Sequence, residues 1–503
     1  LIKIYYIYRY RIYIENIYTD RTDQTTMNKK EEPKGESDLL SSINDTGVRG
    51  FHYKTWLIAG MGFFTDAYDL FIIGAVLALL PLAGWAALSV GAKSLIASTA
   101  LLSAVIGAVI FGRLLDMLGR KAVYGLELVL LIIGALGSAF LTPVNGVLTL
   151  IAWRFLLGIG IGGDYATSST IMSEYSNTKK RGMLVGMVFS MQSLGLVVGP
   201  AITLGLIYSG MAPSLIWKLM LAFGSIPALF VIYGRRKLPE TPKFSLNVKG
   251  DAKTAAENWE KISGVKVDET GINARPTKIK WSKLFTDRAF LITLIGTAGS
   301  WFLMDWALYG NSIMSNQMLA GLVPSTVTGL AALKATSFYT LLVFGIAAFP
   351  GYWIATFTID RIGRKPIQLV GFMAMAATFA TLGIFSYLLS PAFLAEFLII
   401  YGLSYFFIEF GPNVTTFIYP PEVFPTALRG LGTGASAAGG KTGAFIGTAL
   451  NVIIIAALGE SSLFLILAFL SALGFVLTIF ALPEPKGKVL EEISGEVRYA
   501  ANN

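Results

Sequence analysis

Cysteine is absent from the 503 residues, so the chain forms no disulfide, offers no thiolate to a metal, and carries no sign of its redox compartment. Histidine occurs once, as His52, ahead of the first long apolar run. That excludes a histidine relay across a membrane, and leaves carboxylates as the proton carriers. Charge is scarce as well: 14% of residues are Asp, Glu, Lys or Arg against 54% hydrophobic, and the mean hydropathy is +0.63. A soluble domain carries about 25% charged residues, so a water-facing globular fold is excluded.

Apolar sequence is what the chain has in excess. Runs of roughly 20 residues recur, enough to cross a hydrocarbon core about 30 Å thick at about 1.5 Å per residue. They predict spans at 56–80, 93–115, 121–142, 145–166, 183–208 and 213–234, then at 289–309, 335–359, 366–389, 392–413, 430–457 and 461–482. The expected fold class is an all-α membrane protein, with bundles at 56–234 and 289–482 joined by a polar linker at 235–288. A net charge of +9 does not point to nucleic acid, because the cations lie in short loops between spans. One side holds Arg113, Arg120, Lys121, Lys179, Lys180, Arg181, Arg361, Arg364, Lys365 and Arg429, the other Lys93, Lys218 and Lys334. This bias places both termini and the linker in the cytoplasm.

Residues 1–55 read as a cytoplasmic N-terminal segment. Its opening, LIKIYYIYRYRIYIENIY, lacks the uninterrupted apolar core of a signal peptide. Met27 reads as the natural start, with 1–26 as upstream translation, and 27–50 is polar enough to be expected disordered. The linker reads as a connector with some helix and no chemistry, and 483–503 as a cytoplasmic tail.

The two halves echo each other. GRLLDMLGRK at 112–121 returns as TFTIDRIGRK at 356–365, with Asp116 and Asp360 244 residues apart. A second pattern, ExxxxxxRG, joins Glu174 to Arg181 and Glu422 to Arg429 at an offset of 248. Two matches at nearly one offset mark a duplicated unit and hence pseudo-symmetric bundles. The DxxGRK loops, the ExxxxxxRG pair and RFLLGIGIGG at 154–163 resemble the major facilitator superfamily from about Trp56 to Ile493. The resemblance implies alternating access by rocking of the halves, with a cytoplasmic gate of Asp116, Arg120, Glu174, Arg181, Asp360, Arg364, Glu422 and Arg429. Opposite charges at helix ends suit that role, since they pair in one state and part in the other. Arg113 and Lys121 serve topology equally well. The glycines of GIGIGG suit close helix packing, and no GK[ST] follows to make a phosphate loop.

Ionisable residues inside spans are costly and therefore informative. The first span carries Asp66 and Asp69 on one face, the third Glu127, the fourth Asp164 with Tyr165, and the fifth Gln192. Trp301, Asp305 and Tyr309 recur every four residues in the seventh, a stripe about 12 Å long. The tenth brings Glu409 and Asn413, with GPN expected to open the backbone at Gly411 and Pro412, and the eleventh brings Lys441. A cationic cargo would meet Lys441, and a sugar needs fewer carboxylates. A small oxyanion fits once some carboxyls are protonated, because a neutral acid donates a hydrogen bond where an ionised one repels. At the 248 offset Tyr165 corresponds to Asn413, so two candidate ligands hold matching places. Tyr309 fits a membrane-interface belt as well as it fits a site, whereas Trp301 sits too deep for a belt. Asp69 suits a helix contact as well as proton transfer. Arg154 reads as the partner of an inward carboxylate.

FFTDAYDLF, VYGLEL, GGDY with SEY, WFLMD with Tyr309, FGPNVTTF and GGKTGA together resemble the phosphate:proton symporter branch. The resemblance implies that Tyr165, Gln192, Trp301, Asp305, Tyr309 and Asn413 contact phosphate with Lys441 nearby. Asp66, Asp69, Glu127 and Asp164 would belong to the proton path, and Asp305 to both sets. Two positions depart from that pattern: Ala166 where proline is usual, and Glu409 where an uncharged polar residue is expected. The expected function is proton-coupled phosphate import across the plasma membrane by a monomer, without cofactor, metal or nucleic acid. The alternatives are a sugar, polyol or organic-acid porter, favoured by PEPKGKVLEE and RFLLGIG, and a non-transporting nutrient sensor, for which the linker leaves little room. An enzyme is not expected, since no nucleophile–base pair or metal cluster stands out.

Overall fold

The structure is a computed structural model that describes residues 34–267, 272, 276–313, 319 and 321–497. The Ile- and Tyr-rich opening stretch and Met27 lie outside the described residues, as does the end of the tail. Among the described residues twelve helices are long and apolar enough to cross a membrane: α1 (Gly50–Leu79), α2 (Val90–Leu118), α3 (Arg120–Phe140), α4 (Val147–Tyr175), α5 (Arg181–Tyr208), α6 (Pro213–Lys237), α7 (Arg288–Ser312), α8 (Gly329–Ile362), α9 (Arg364–Ile384), α10 (Pro391–Val423), α11 (Arg429–Leu458) and α12 (Glu460–Ala481).

Within the first half α2 lies on α4, and within the second α7 lies on α11. Across the halves α2 lies on α11 and α5 on α8. Small residues set how closely they approach. A Cβ on Gly158 would overlap the Ala100 carbonyl, and one on Gly162 the Ala104 carbonyl, so the glycines of RFLLGIGIGG serve the α4–α2 contact.

Two spans run on past their expected ends. The predictions for 145–166 and 392–413 stop where Ser, Thr and Glu become frequent, yet α4 continues to Tyr175 and α10 to Val423. Hydropathy counts these residues as if they faced lipid, whereas they are buried between the halves. Their hydroxyls also find partners on the helix itself: Ser168 Oγ donates to Asp164 Oδ1 (2.5 Å) and Ser169 Oγ to the Tyr165 carbonyl (2.8 Å). The backbone does open at GPN. Gly411 leaves the helical region (φ −104°, ψ −112°) beside Pro412, which has no N–H to give, and the turn from Glu409 to Asn413 widens.

The N-terminal segment is more ordered than its composition predicts, since Lys34–Asp45 is a helix. Leu39 and Ile43, one turn apart, are buried in the same apolar cluster as Trp259 and Ile262 of the linker helix Ala252–Ser263. Trp259 Nε1 donates to Ser42 Oγ at 2.9 Å. The surface that orders this helix comes from about 200 residues away, so no local window reveals it. His52 belongs to α1 rather than preceding it, and its Nε2 meets the Tyr175 carbonyl at 3.1 Å.

Candidate functional site

At the middle of the contact between halves, helices of both contribute to one chain of hydrogen bonds. Asn413 Nδ2 of α10 donates to the Tyr352 hydroxyl of α8 (2.7 Å), which donates to Gln192 Oε1 of α5 (3.1 Å). Gln192 Nε2 donates to the Tyr165 hydroxyl of α4 (2.5 Å), and that hydroxyl shares a hydrogen bond with the Tyr309 hydroxyl of α7 (3.0 Å). Lys441 Nζ of α11 then donates to the Tyr309 hydroxyl (2.9 Å) and to Asp305 Oδ2 (3.0 Å). Beyond Asn413 the chain ends on Glu409, whose Oε2 accepts from Asn413 Nδ2. Tyr165 and Asn413, paired by the repeat, thus communicate through Gln192 and Tyr352.

Every member is buried, so its polar groups depend on each other. The Lys441 ammonium has aromatic faces as well as Asp305: it lies 4.1 Å from the Tyr165 ring centre and 4.2 Å from that of Tyr309. Tyr309 is therefore interior, not an interface belt residue. Trp301, one turn before Asp305, sits 5.9 Å from the Tyr165 ring. Phe189 and Phe417 stack at 4.3 Å across the halves and, with Phe63, close the site toward the linker side. On the opposite side Phe71 stacks on Tyr309 at 5.1 Å, beneath a narrow cleft of about 20 Å³ lined by Pro200, Thr203, Ser337, Thr340 and Phe344.

The four acids of the first half expected in the proton path separate into two kinds. Glu127 and Asp164 both hold Arg235, at 2.6 Å to Glu127 Oε1 and at 2.8 and 2.7 Å to the two oxygens of Asp164. Arg235 also lies 4.6 Å from the Tyr124 ring centre. Among the described residues Asp66 and Asp69 form no such ion pair: both oxygens of Asp66 and Oδ2 of Asp69 are buried without a hydrogen-bond partner, and Arg154 is the cation within electrostatic reach of Asp69. Asp66 lies within electrostatic reach of Asp164 and Arg235 on one side and Lys441 on the other. Arg235, grouped by its charge with the polar linker, is buried in the last turn of α6. Arg154 lies within electrostatic reach of the Asp69 carboxylate, as expected of a partner for an inward acid, while its hydrogen bonds go to backbone, through Nε to the Ile96 carbonyl (3.1 Å) and through both Nη to the Asp69 carbonyl (3.4 Å).

The residues expected at the gate meet at the linker-side end in two matching sets. Asp116 accepts from the backbone of Gly430 (2.9 Å) and Leu431 (2.8 Å), and Asp360 accepts from Gly182 (3.1 Å) and Met183 (2.8 Å). Each carboxylate thereby sits on the first turn of a helix of the other half, where free N–H groups and the helix dipole favour an anion. Arg120 grips Glu174 at 2.7 and 3.1 Å, and Arg364 grips Glu422 at 2.6 and 2.9 Å. Arg429 and Arg181 add cross-half bonds to the same glutamates at 2.9 and 2.8 Å. Gly119 and Gly363 start the following helices at φ of 100° and 112°, values that favour glycine.

Tyr352 and the phenylalanines Phe63, Phe71, Phe189 and Phe417 are not singled out by the sequence, because no charge or amide marks them among ordinary span residues, and Arg235 is not, because its charge groups it with the polar linker. Glu240 and Glu484 were overlooked despite a signal. LPE at 238–240 recurs at 482–484, again 244 residues on. Glu240 accepts from the backbone of Arg120 (3.1 Å) and Lys121 (3.3 Å), Glu484 from Arg364 (3.1 Å) and Lys365 (2.9 Å).

Comparison with known proteins agrees with this architecture. The sugar (and other) transporter family matches residues 55–496. Inorganic phosphate transporter 1-11 of Oryza sativa subsp. japonica is 37% identical over 91% of this chain and 90% of its own. Probable inorganic phosphate transporter 1-6 of Arabidopsis thaliana is 34% identical over 92% and 97%. Among solved structures, the major facilitator superfamily proton:xylose symporter XylE superposes with a TM-score of 0.73 at 20% identity, covering 89% of this chain and 99% of its own. The partially occluded inward-open form of XylE from E. coli gives 0.70 at 19% identity, covering 88% of this chain and all of its own. The chain belongs to the sugar (and other) transporter family of the major facilitator superfamily, on the branch of the inorganic phosphate transporters.

Proposed function

We propose that the protein imports inorganic phosphate together with protons across the plasma membrane by alternating access, with both termini and the linker in the cytoplasm. The observation that carries this is the Lys441–Asp305 pair, 3.0 Å apart and buried among hydroxyl and amide donors. One ammonium serves one anion in a site that water does not reach. Phosphate takes Lys441 only if Asp305 is neutralised, since a second uncompensated negative charge there costs several kcal/mol. A proton on Asp305 is the neutralising agent, which couples cargo to proton chemically. Tyr165, Tyr309, Gln192, Asn413 and Trp301 then turn donors and aromatic edges toward the phosphate oxygens.

Asp66, with no partner, carries the proton between this site and the Glu127–Arg235–Asp164 cluster, and Asp69 stands next to it on α1. The set around Asp116, Asp360, Glu174 and Glu422 is the cytoplasmic gate, closed in this state. Rocking of the halves separates the four helices it joins. The relatives named above support phosphate as cargo, and a site contained in one chain supports function as a monomer. Uptake of labelled phosphate into proteoliposomes under an imposed inward pH gradient tests the proposal. Uptake indifferent to collapse of that gradient refutes coupling, and displacement of phosphate by a sugar or organic acid refutes the cargo.

A further inference from the structure

Glu409 opens the widened turn of α10, where the backbone leaves helical geometry at Gly411. It is buried, its Cβ lies against Gly351 of α8, and its Oε2 accepts from Asn413. Its Oε1 has no hydrogen-bond partner of good geometry, and the Tyr352 side chain lies within reach of the carboxyl. The neighbouring groups show what is missing there. The Tyr352 hydroxyl beside the carboxyl spends its one hydrogen on Gln192 Oε1 and one lone pair on Asn413 Nδ2. A hydroxyl oxygen has two lone pairs, so one acceptor position stays open toward Glu409. A carboxylic O–H on Glu409 fills it and satisfies both residues at once.

The charges around Glu409 agree. Each gate glutamate holds two arginines, and Asp305 holds Lys441. Among the described residues the titratable groups facing Glu409 are Tyr352 of α8, Tyr405 on its own helix and Asp305 of α7 across the site, and none of them is a cation. From Glu409 the hydrogen bonds run without a break through Asn413, Tyr352, Gln192, Tyr165 and Tyr309 to Lys441 and Asp305. The chain thus has a carboxyl at each end and the cargo position between them.

We infer that Glu409 is a second proton-binding carboxyl of the transport cycle, which holds a proton in the closed state seen here and releases it when the site opens to the cytoplasm, in addition to the proton on Asp305. This rests on the proton-coupled phosphate reading above and adds one proton per cargo to it. No bond other than O–H forms or breaks, and the proton comes from the side that supplies the phosphate.

The test is steady-state phosphate accumulation in proteoliposomes with the membrane potential clamped at zero and a set pH gradient. Glu409→Gln is expected to keep phosphate exchange between equal pools, at a reduced rate, while its limiting accumulation ratio falls about tenfold per unit of pH gradient, the value of one proton. Glu409→Asp, which keeps the acid, is expected to hold the ratio of the parent. Equal ratios in Glu409→Gln and the parent overturn the inference. Loss of exchange in both variants also overturns it, because the side chain then serves the cargo site or the fold. If the parent itself accumulates nothing from a pH gradient, the proton-coupled reading falls first and this inference with it.

Discussion

Glu174 and Glu422 stand 248 residues apart in sequence and hold the same place in space, each accepting from one arginine of its own half and one of the other. Their carboxylates are where the halves are tied at the linker-side end. A rocking motion has to break one bond of each and keep the other.

Removing one partner of a buried ion pair costs roughly 3–5 kcal/mol, enough to move a two-state equilibrium. Glu422→Gln is therefore expected to favour the state open on the linker side. A chain without cysteine suits the check, with Ser173→Cys as probe, because the Ser173 hydroxyl meets the Pro421 carbonyl across the halves at 3.4 Å. Labelling by a membrane-impermeant maleimide from the linker side should be slow in the parent background and at least several-fold faster with Glu422→Gln. Equal rates would mean that the glutamate is no gate.

Asp305→Asn keeps a polar side chain beside Lys441 and removes the proton. Exchange of labelled phosphate between equal pools is expected to survive better than accumulation driven by a pH gradient. Equal loss of both would make Asp305 chiefly a ligand. Lys441→Gln should abolish both, since it leaves Asp305 unpaired and the cargo without its cation, a loss of about 2–5 kcal/mol.

Arg235 is the cation shared by Glu127 and Asp164. Arg235→Ala would leave two buried carboxylates facing each other, so a marked drop in melting temperature in detergent is expected, corresponding to roughly 3–5 kcal/mol. Arg235→Lys should recover part of it, because an ammonium keeps the charge and forfeits the fork that reaches both acids. A melting temperature unmoved by the alanine would remove Arg235 from the structural role assigned to it.

The tail is tied to the linker by Lys243 and Glu491, 2.6 Å apart. Burial pushes the Glu491 carboxyl up, the Lys243 ammonium pulls it down, and the net value lies below the usual carboxylate range. The sign follows from linkage: a depressed value in the docked state stabilises docking above about pH 4.3, the free-carboxyl value, and that contribution fades as pH falls through the lower docked value. Glu491→Gln should therefore melt below the parent at pH 7, with the gap closing toward pH 3. A gap that widened in acid would contradict the pairing.

Much of the architecture could be read before any coordinates. Span number, the duplicated halves and the DxxGRK and ExxxxxxRG sets follow from hydropathy, charge placement and repetition, all of which act within a short window or at one fixed offset. Asp305, Lys441, Gln192 and Asn413 stood out because an ionisable or amide group in a span is rare, and the resemblance of their blocks to the phosphate:proton symporters added Tyr165, Trp301 and Tyr309 to the expected cargo contacts. Errors arose where a partner far along the chain changes a residue's setting. The helix at Lys34–Asp45 needs Trp259, α4 and α10 bury their polar ends against each other, and Arg235 reads as a linker cation until its two acids are seen.

Asp305 and Glu409 show the division most clearly. Composition alone established that both are carboxyls in apolar helices, because the cost of burying them does not depend on how the helices are arranged. Pairing does depend on it, since a hydrogen bond or an ion pair acts only over a few ångströms. Folding brought Lys441 to Asp305, brought Asn413 and Tyr352 to Glu409, and among the described residues set no cation against Glu409. Two acids that look alike along the chain thereby acquire different surroundings.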